Sequence, residues 1–102
     1  MTFALTKKLL DSVTATGAGS AVYPQRRQDE LGKIQAKIVS GTATVKIQGR
    51  VNDTAPWATL LTLTESDMSD NDTVYALIEL VPEMRANIIN ISGATVDVWL
   101  TE

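Results

Sequence analysis

The feature that most constrains the fold is the alternation of apolar and polar side chains in the stretch 41–64, GTATVKIQGRVNDTAPWATLLTLT. The apolar positions on one phase are Ala43, Val45, Ile47 and Val51. Because successive side chains of a strand point to opposite faces, this period of two predicts a half-buried antiparallel strand. The turn-forming run 52–56, NDTAP, separates it from a second β-rich run at 57–64. The stretch therefore predicts a β-hairpin.

Short β-rich runs recur along the rest of the chain, with glycine, proline or polar residues between them. They are SVTAT at 12–16, AVY at 21–23, residues 33–38, VYALIELV at 74–81, EMRANIINI at 83–91 and TVDVWLT at 95–101. The run 74–81 is apolar on both phases, which indicates an interior strand that is covered on both sides. No segment has the pattern of an amphipathic helix. The sequence therefore predicts an all-β fold, an antiparallel β-sandwich of about eight strands, with jelly-roll and immunoglobulin-like topologies both open.

The chain of 102 residues has the size of one domain, in which we distinguish two parts. Residues 31–102 carry the sustained alternation and form the body of the sandwich. Residues 1–30 lack it and contain the polar run QRRQDE, so we expect an N-terminal arm and edge strands there. A segment with few apolar anchors gains little from its own core, and an arm can order against a neighbouring chain. The alternative is that SVTAT and SAVY are ordinary strands of the sandwich.

The composition argues against several classes of function. Nine scattered basic residues and a net charge of −3 argue against nucleic-acid binding. The chain has no cysteine and no histidine, so it lacks a thiolate nucleophile, the usual general base and the commonest transition-metal ligands. We therefore predict a protein that is not an enzyme and that uses no cofactor or metal. The N-terminus, MTFALTKKLL, does not resemble a signal peptide, and no apolar run is long enough for a membrane helix, so we expect a soluble chain without a cleaved signal.

The acidic run from Glu65 to Asp72, ESDMSDND, offers enough carboxylates for a calcium ion but lacks the spacing of an EF-hand loop. A solvated loop is the preferred interpretation, and calcium binding is the alternative.

Several residues are candidates for contact with another molecule. Tyr75, Leu77, Ile89 and Trp99 fall on the strand face opposite their core-facing neighbours. A subunit interface would bury this surplus of apolar surface. Arg26 and Arg27, in the polar run, either pair with acidic groups of a partner or belong to a solvated connection. Trp57 is interpreted as a cap on the core, and either tryptophan could instead be a stacking platform for a sugar ring.

Four segments carry a resemblance to a known class of proteins. They are VTATGAGSAV, GTATVKIQGRVND followed by Trp57, PEMRANI, and the closing GATVDVWL. From about Val13 onward the chain resembles small virion proteins of tailed bacteriophages. The likeness lies in the succession of strands and turns, and no catalytic motif contributes to it. Such proteins form β-sandwiches that assemble on the particle as capsid decoration (cement) proteins or as tail and fibre components.

The resemblance implies a capsid decoration protein that bridges capsomers and stabilises the head. Its partners would be the major capsid protein or other virion proteins and further copies of itself, with a homotrimer favoured. It would be made in the host cytoplasm and located on the capsid surface of the virion. The alternatives are a tail, baseplate or head–tail component and, from another class, a carbohydrate-binding module.

Overall fold

The computed structural model describes residues 6–24 and 31–102, which form two antiparallel sheets of four strands each. The strands are β1 (Thr6–Val13), β2 (Gly17–Ala18), β3 (Leu31–Val39), β4 (Thr42–Arg50), β5 (Ala58–Thr64), β6 (Thr73–Glu79), β7 (Glu83–Ser92) and β8 (Thr95–Thr101). The predicted all-β sandwich of eight strands is confirmed. Within the described ranges, no helix is long and apolar enough to cross a membrane.

The strand order identifies the topology of the sandwich. One sheet, here called sheet A, has the order β1-β8-β3-β6, and the other, sheet B, has the order β2-β7-β4-β5. The first strand therefore pairs with the last, the second with the seventh, the third with the sixth and the fourth with the fifth. A chain that folds back on itself in this way and then wraps into two sheets has the jelly-roll arrangement. Of the two topologies left open by the sequence, the structure has the jelly roll.

The predicted hairpin is present as β4 and β5, which pair from Thr44 opposite Thr64 to Gly49 opposite Ala58. Its turn is organised by Asn52, whose Oδ1 accepts hydrogen bonds from the backbone N–H groups of Thr54 and Ala55, each at 3.0 Å. The Thr54 hydroxyl donates to the same oxygen at 2.8 Å. The side chain thus replaces backbone partners in the turn, which is the role expected of asparagine.

A single apolar layer between the sheets forms the core. It is built from alternate residues of the interior strands: Ile34, Ala36 and Ile38 of β3, Val45 and Ile47 of β4, Met84, Ala86 and Ile88 of β7, and Val96, Val98 and Leu100 of β8. Alternation places the remaining side chains of the same strands on the outer faces. The sequence period therefore determines both the core and the two outer faces.

Two tight turns carry the chain between the sheets and pack against each other. Ser40 and Gly41 connect β3 with β4, and Gly93 and Ala94 connect β7 with β8. Gly93 has a φ of +68°, which favours glycine. A Cβ atom on Gly41 would collide with the backbone of Ser92 and Gly93, so only glycine allows this approach. The glycines therefore allow the two turns to pack closely together at this corner.

Strand β6 differs from the prediction. The run 74–81 was expected to be an interior strand covered on both sides, but β6 is an edge strand of sheet A. Its inner side chains, such as Ile78, are buried, whereas Tyr75 and Leu77 are 69% and 65% exposed on the outer face. Hydrophobicity alone cannot tell an interior strand from an edge strand whose outer face carries exposed apolar side chains.

The N-terminal segment, where the sequence suggested an arm and edge strands, is described from residue 6 to residue 24. Strand β1 is an edge strand that pairs with β8, and its Leu9 and Leu10 are buried in the core. Strand β2 pairs with β7, and Val22 forms an isolated bridge to Met84. Residues 6–13 therefore contribute to the core, and residues 1–5 and 25–30 lie outside the described residues.

The two faces of β4 predict opposite outcomes for the same substitution. Ile47 is fully buried, so Ile47→Asp places an unpaired carboxylate in the core and should cost at least about 4 kcal/mol, a large share of the total stability of a small domain. The adjacent Lys46→Asp changes the outer face and should cost less than about 1 kcal/mol. Denaturant unfolding of both variants measures the difference, and equal destabilisation would contradict the register of β4.

Truncation tests the contribution of β1. Removal of residues 1–10 deletes Leu9, Leu10 and most of the pairing with β8, and we expect a loss of at least about 3 kcal/mol from the two leucines alone. The matched control is removal of residues 1–5, which leaves β1 intact, so that the difference between the two deletions reports on residues 6–10. Thermal unfolding by circular dichroism compares the two. An unchanged midpoint after the longer deletion would show that β1 is dispensable.

Candidate interaction surface

The outer face of sheet A carries a row of aromatic and polar side chains that crosses all four strands. Pairing places side by side, in spatial order, Lys8 of β1, Trp99 of β8, Gln35 of β3 and Tyr75 of β6. Each belongs to the phase of its strand opposite the core. The side chains of Trp99 and Tyr75 thus lie on either side of the Gln35 amide. Their strands are two strand spacings, about 10 Å, apart.

Neighbouring rows complete this surface, which we call the sheet A face. One row contains Thr6, Thr101, Lys33 and Leu77, and another contains Asp97, Lys37 and Thr73. The rows enclose a shallow groove of about 650 Å³ that is lined by Thr6, Lys33, Gln35, Lys37, Thr73, Tyr75, Trp99 and Thr101. A smaller hollow of about 280 Å³ lies beside it, against Tyr75 and Leu77. Leu31 of β3, 61% exposed, lies diagonally across from Leu77 and adds apolar surface to this face.

The charges of the sheet A face are unequally paired. Lys8 Nζ lies 2.9 Å from Asp11 and 3.2 Å from Asp97, and 4.8 Å from the centre of the Trp99 ring. The pKa of Lys8 is raised, chiefly by its hydrogen bond to Asp11 and less by Asp97, against an opposing effect of desolvation. Lys33 and Lys37, by contrast, form no ion pair with any residue that the structure describes. The groove therefore carries two ammonium groups available to a partner.

The outer face of sheet B also carries an aromatic side chain, Trp57. The guanidinium groups of Arg50 and Arg85 lie over the ring of Trp57, at 4.2 and 4.3 Å from its centre. Arg50 Nη2 is 3.1 Å from Glu83 Oε1, and Arg85 Nε donates to Gln48 Oε1 at 2.9 Å. Desolvation, with a contribution from Arg50, lowers the pKa of Arg85. Trp57 was expected to cap the core, but it lies half-buried on the outer face within this network.

The predicted interface residues are distributed over the two sheets. Tyr75, Leu77 and Trp99 come together on the sheet A face, as described above. Ile89 is 45% exposed but belongs to β7 of sheet B, at the irregularity where pairing with β4 shifts between Asn90 and Ile88. Arg26 and Arg27 lie outside the described residues.

Sequence reasoning missed the polar members of the groove. Lys33, Gln35 and Lys37 were recognised only as the outer phase of a strand, although that phase is the signal that places them on this face. What the sequence could not supply is the neighbour relation, because β3 pairs with β8 and β6, which lie far along the chain.

The acidic run 65–72 forms two short 3₁₀ turns, Glu65–Asp67 and Asp70–Asp72. Glu65 Oε1 accepts a hydrogen bond from the backbone N–H of Ala43 at 2.9 Å, and Asp67 Oδ2 accepts one from Thr64 at 2.8 Å. These two carboxylates thus satisfy backbone donors of β4 and β5. Over residues 6–24 and 31–102, no three acidic side chains converge in a way that could hold a metal ion.

Comparison of the chain with family models, with curated proteins and with solved structures finds no match. The geometry of the sheet A face is therefore the observation that bears on function. Its aromatic rings, amide, hydroxyls and ammonium groups are suited to binding another molecule.

Proposed function

We propose that this chain is a structural virion protein of a tailed bacteriophage, a capsid decoration (cement) protein that bridges capsomers through the sheet A face. The observation that carries the proposal is the exposure of Leu31, Tyr75 and Leu77 on the outer face of a hydrogen-bonded sheet that also carries Trp99. The resemblance to phage virion proteins supports the particle as the partner. Further copies of the chain, as a trimer or another homo-oligomer, belong to the same proposal.

The energetics favour a covered rather than a free face. Burying a large apolar side chain stabilises by about 1.5–3 kcal/mol, so three such residues and an aromatic ring supply a useful core for an interface. Aromatic residues at the centre with polar groups around them are typical of protein–protein interfaces. The backbone beneath is fixed by pairing on both sides of β3 and β8, so little ordering opposes association.

The charges indicate the chemistry of the partner surface. Lys33 and Lys37 have no ion pair among the described residues, so an acidic patch on the capsid would complement them. Complementary charges mainly increase the association rate and set the orientation.

The topology is compatible with this role by analogy. Jelly-roll sandwiches are used by viral capsid proteins and also by lectin domains. Because a fold hosts many functions, this likeness supports the proposal only as an analogy. The stronger support comes from the residues of the sheet A face.

Particle binding tests the proposal. The chain should be present in purified virions of the phage that encodes it, and electron microscopy should place it on the head. Trp99→Ala and Lys33→Glu should each weaken binding of the purified chain to undecorated heads by about tenfold or more. The matched control is Lys46→Glu, the same charge change on the outer face of sheet B, which should bind normally.

Absence of the chain from virions, or equal effects of Lys33→Glu and Lys46→Glu, would contradict the proposed role of the sheet A face. Localisation to the tail, baseplate or head–tail junction would keep the structural role and replace decoration by that alternative.

A carbohydrate-binding module is the second candidate, and the groove between Trp99 and Tyr75 favours it. Sugar rings stack on aromatic side chains, and Gln35 between the rings could hydrogen-bond to hydroxyls. In a Trp57→Phe background Trp99 is the only tryptophan, so its fluorescence reports on the groove. This candidate predicts a monomer whose fluorescence changes on titration with glycans and whose response is lost in Gln35→Ala. A silent glycan panel would exclude it.

A further inference from the structure

The four edge strands of the sandwich are not equally protected against pairing with another chain. Strand β1 contains Lys7, Lys8 and Asp11 and has two irregularities in its pairing with β8. Strand β2 is only two residues long. Charges, bulges and shortness are the usual means by which an edge is kept from adding a further strand. The β1 and β2 edges are therefore blocked.

The other two edges, β5 and β6, carry almost no charge. Strand β5, ATLLTLT, has none, but its pairing with β4 is irregular between Ile47 and Gln48. Strand β6, TVYALIE, has a single charge at Glu79 and pairs with β3 without interruption over seven residues. A regular, apolar edge without lysine or proline is the kind that pairs readily with another strand.

We propose that a second copy of this chain pairs antiparallel along β6, about a two-fold axis at Ala76. In this register Tyr75 lies opposite the partner's Leu77, and Val74 lies opposite the partner's Ile78. The two-fold axis repeats each pair, which is the self-complementarity required of a symmetric interface. Aromatic–aliphatic cross-strand pairs of this kind stabilise an antiparallel pairing.

The charges agree with the same register. Glu79 lies opposite the partner's Thr73, whose neighbour on β3 is Lys37. Two strand spacings, about 10 Å, separate the backbones of Glu79 and the partner's Lys37, a distance that the two long side chains span together. Lys37 has no ion pair within the described part of the chain. The proposed pairing gives Lys37 an ion pair with the partner's Glu79. The two-fold axis generates this ion pair twice, once on each side.

Other registers are less favourable. A shift that centres the axis on Leu77 puts Glu79 opposite the partner's Tyr75, and one that centres it on Tyr75 puts Leu77 opposite the partner's Thr73. Both replace an apolar pair with a mixed one on the exposed face. The register at Ala76 pairs every apolar side chain from residue 74 to residue 78 with another apolar side chain.

The inference rests on the proposed assembly role and names a second copy as one partner. It joins the two sheet A faces into one sheet of eight strands, four from each copy, and doubles the surface offered to a particle. A two-fold axis at the β6 edge produces a dimer, so a trimer would need a different surface. Self-association and particle binding are measured separately, so that either one can fail alone.

Cross-linking tests the register, since the chain has no cysteine of its own. Residues directly opposite each other across an antiparallel pair are about 4.5–5.5 Å apart at Cα, which a disulfide can bridge. We expect Ala76→Cys to form a covalent dimer under mild oxidation. The matched control, Thr62→Cys on the β5 edge, should remain monomeric under the same conditions. Equal cross-linking of the two variants, or none at Ala76→Cys, would overturn the register.

Charge reversal tests the interface in the unmodified fold. Analytical ultracentrifugation of the wild type should show a monomer–dimer equilibrium at micromolar concentration. Lys37→Glu and Glu79→Lys should each raise the dissociation constant about tenfold, and the double variant should restore it. Leu77→Lys should abolish the dimer, whereas Thr62→Lys should not.

A wild-type monomer at high micromolar concentration, or a trimer of unchanged mass in Leu77→Lys, would overturn the inference. The Ala76→Cys dimer also separates the two proposals, because Lys33, Lys37 and Trp99 are unchanged in it. A dimer that forms normally but fails to bind heads would refute the particle role and leave the pairing intact.

Discussion

Every other feature of this molecule depends on the apolar layer between the two sheets. Ile34, Val45, Val98 and their neighbours are fully buried there. The chain has no cysteine to form a disulfide, and the residues that the structure describes include no cluster of metal ligands. In a chain of this size the hydrophobic contribution is only modestly larger than the entropy lost on folding. The register of each interior strand is therefore strongly constrained, because a shift by one residue would turn its core side chains toward water.

That constraint on the core also determines the outer faces. Once Ile34 and Val98 face inward, Gln35 and Trp99 must face outward, and pairing makes them neighbours. The glycine turns at Gly41 and Gly93 add a second constraint, since they allow the backbones of the two sheet-crossing corners to touch. The strands that carry the sheet A face are held in place because their inward side chains are buried in the core.

Much of this could be predicted from alternation and turn residues. The hairpin of β4 and β5 and the inward side chains of β3 and β8 follow from a period of two, which is a local property. The edge position of β6 could not be predicted, because its outer phase, with Tyr75 and Leu77, has the composition of a buried surface. The strand order depends on pairings between distant segments, such as β1 with β8. Alternation carries no information about which distant strands meet.

The two tryptophans show why residue type alone did not identify the proposed binding face. Trp57 lies under Arg50 and Arg85, which are in turn bound to Glu83 and Gln48, so the side chains around this ring satisfy one another. Trp99 contacts Lys8 on one side, while on the other it borders a groove whose lysines have no counter-ion among the described residues.

A paired network gains little from a new partner, because binding would first have to break contacts that already exist. An open groove with unpaired charges and exposed apolar neighbours gains both hydrophobic burial and ion pairs when it is covered. The difference between the sheets is therefore one of unsatisfied contacts rather than of composition. It is this difference that places the proposed interactions on sheet A and on its β6 edge.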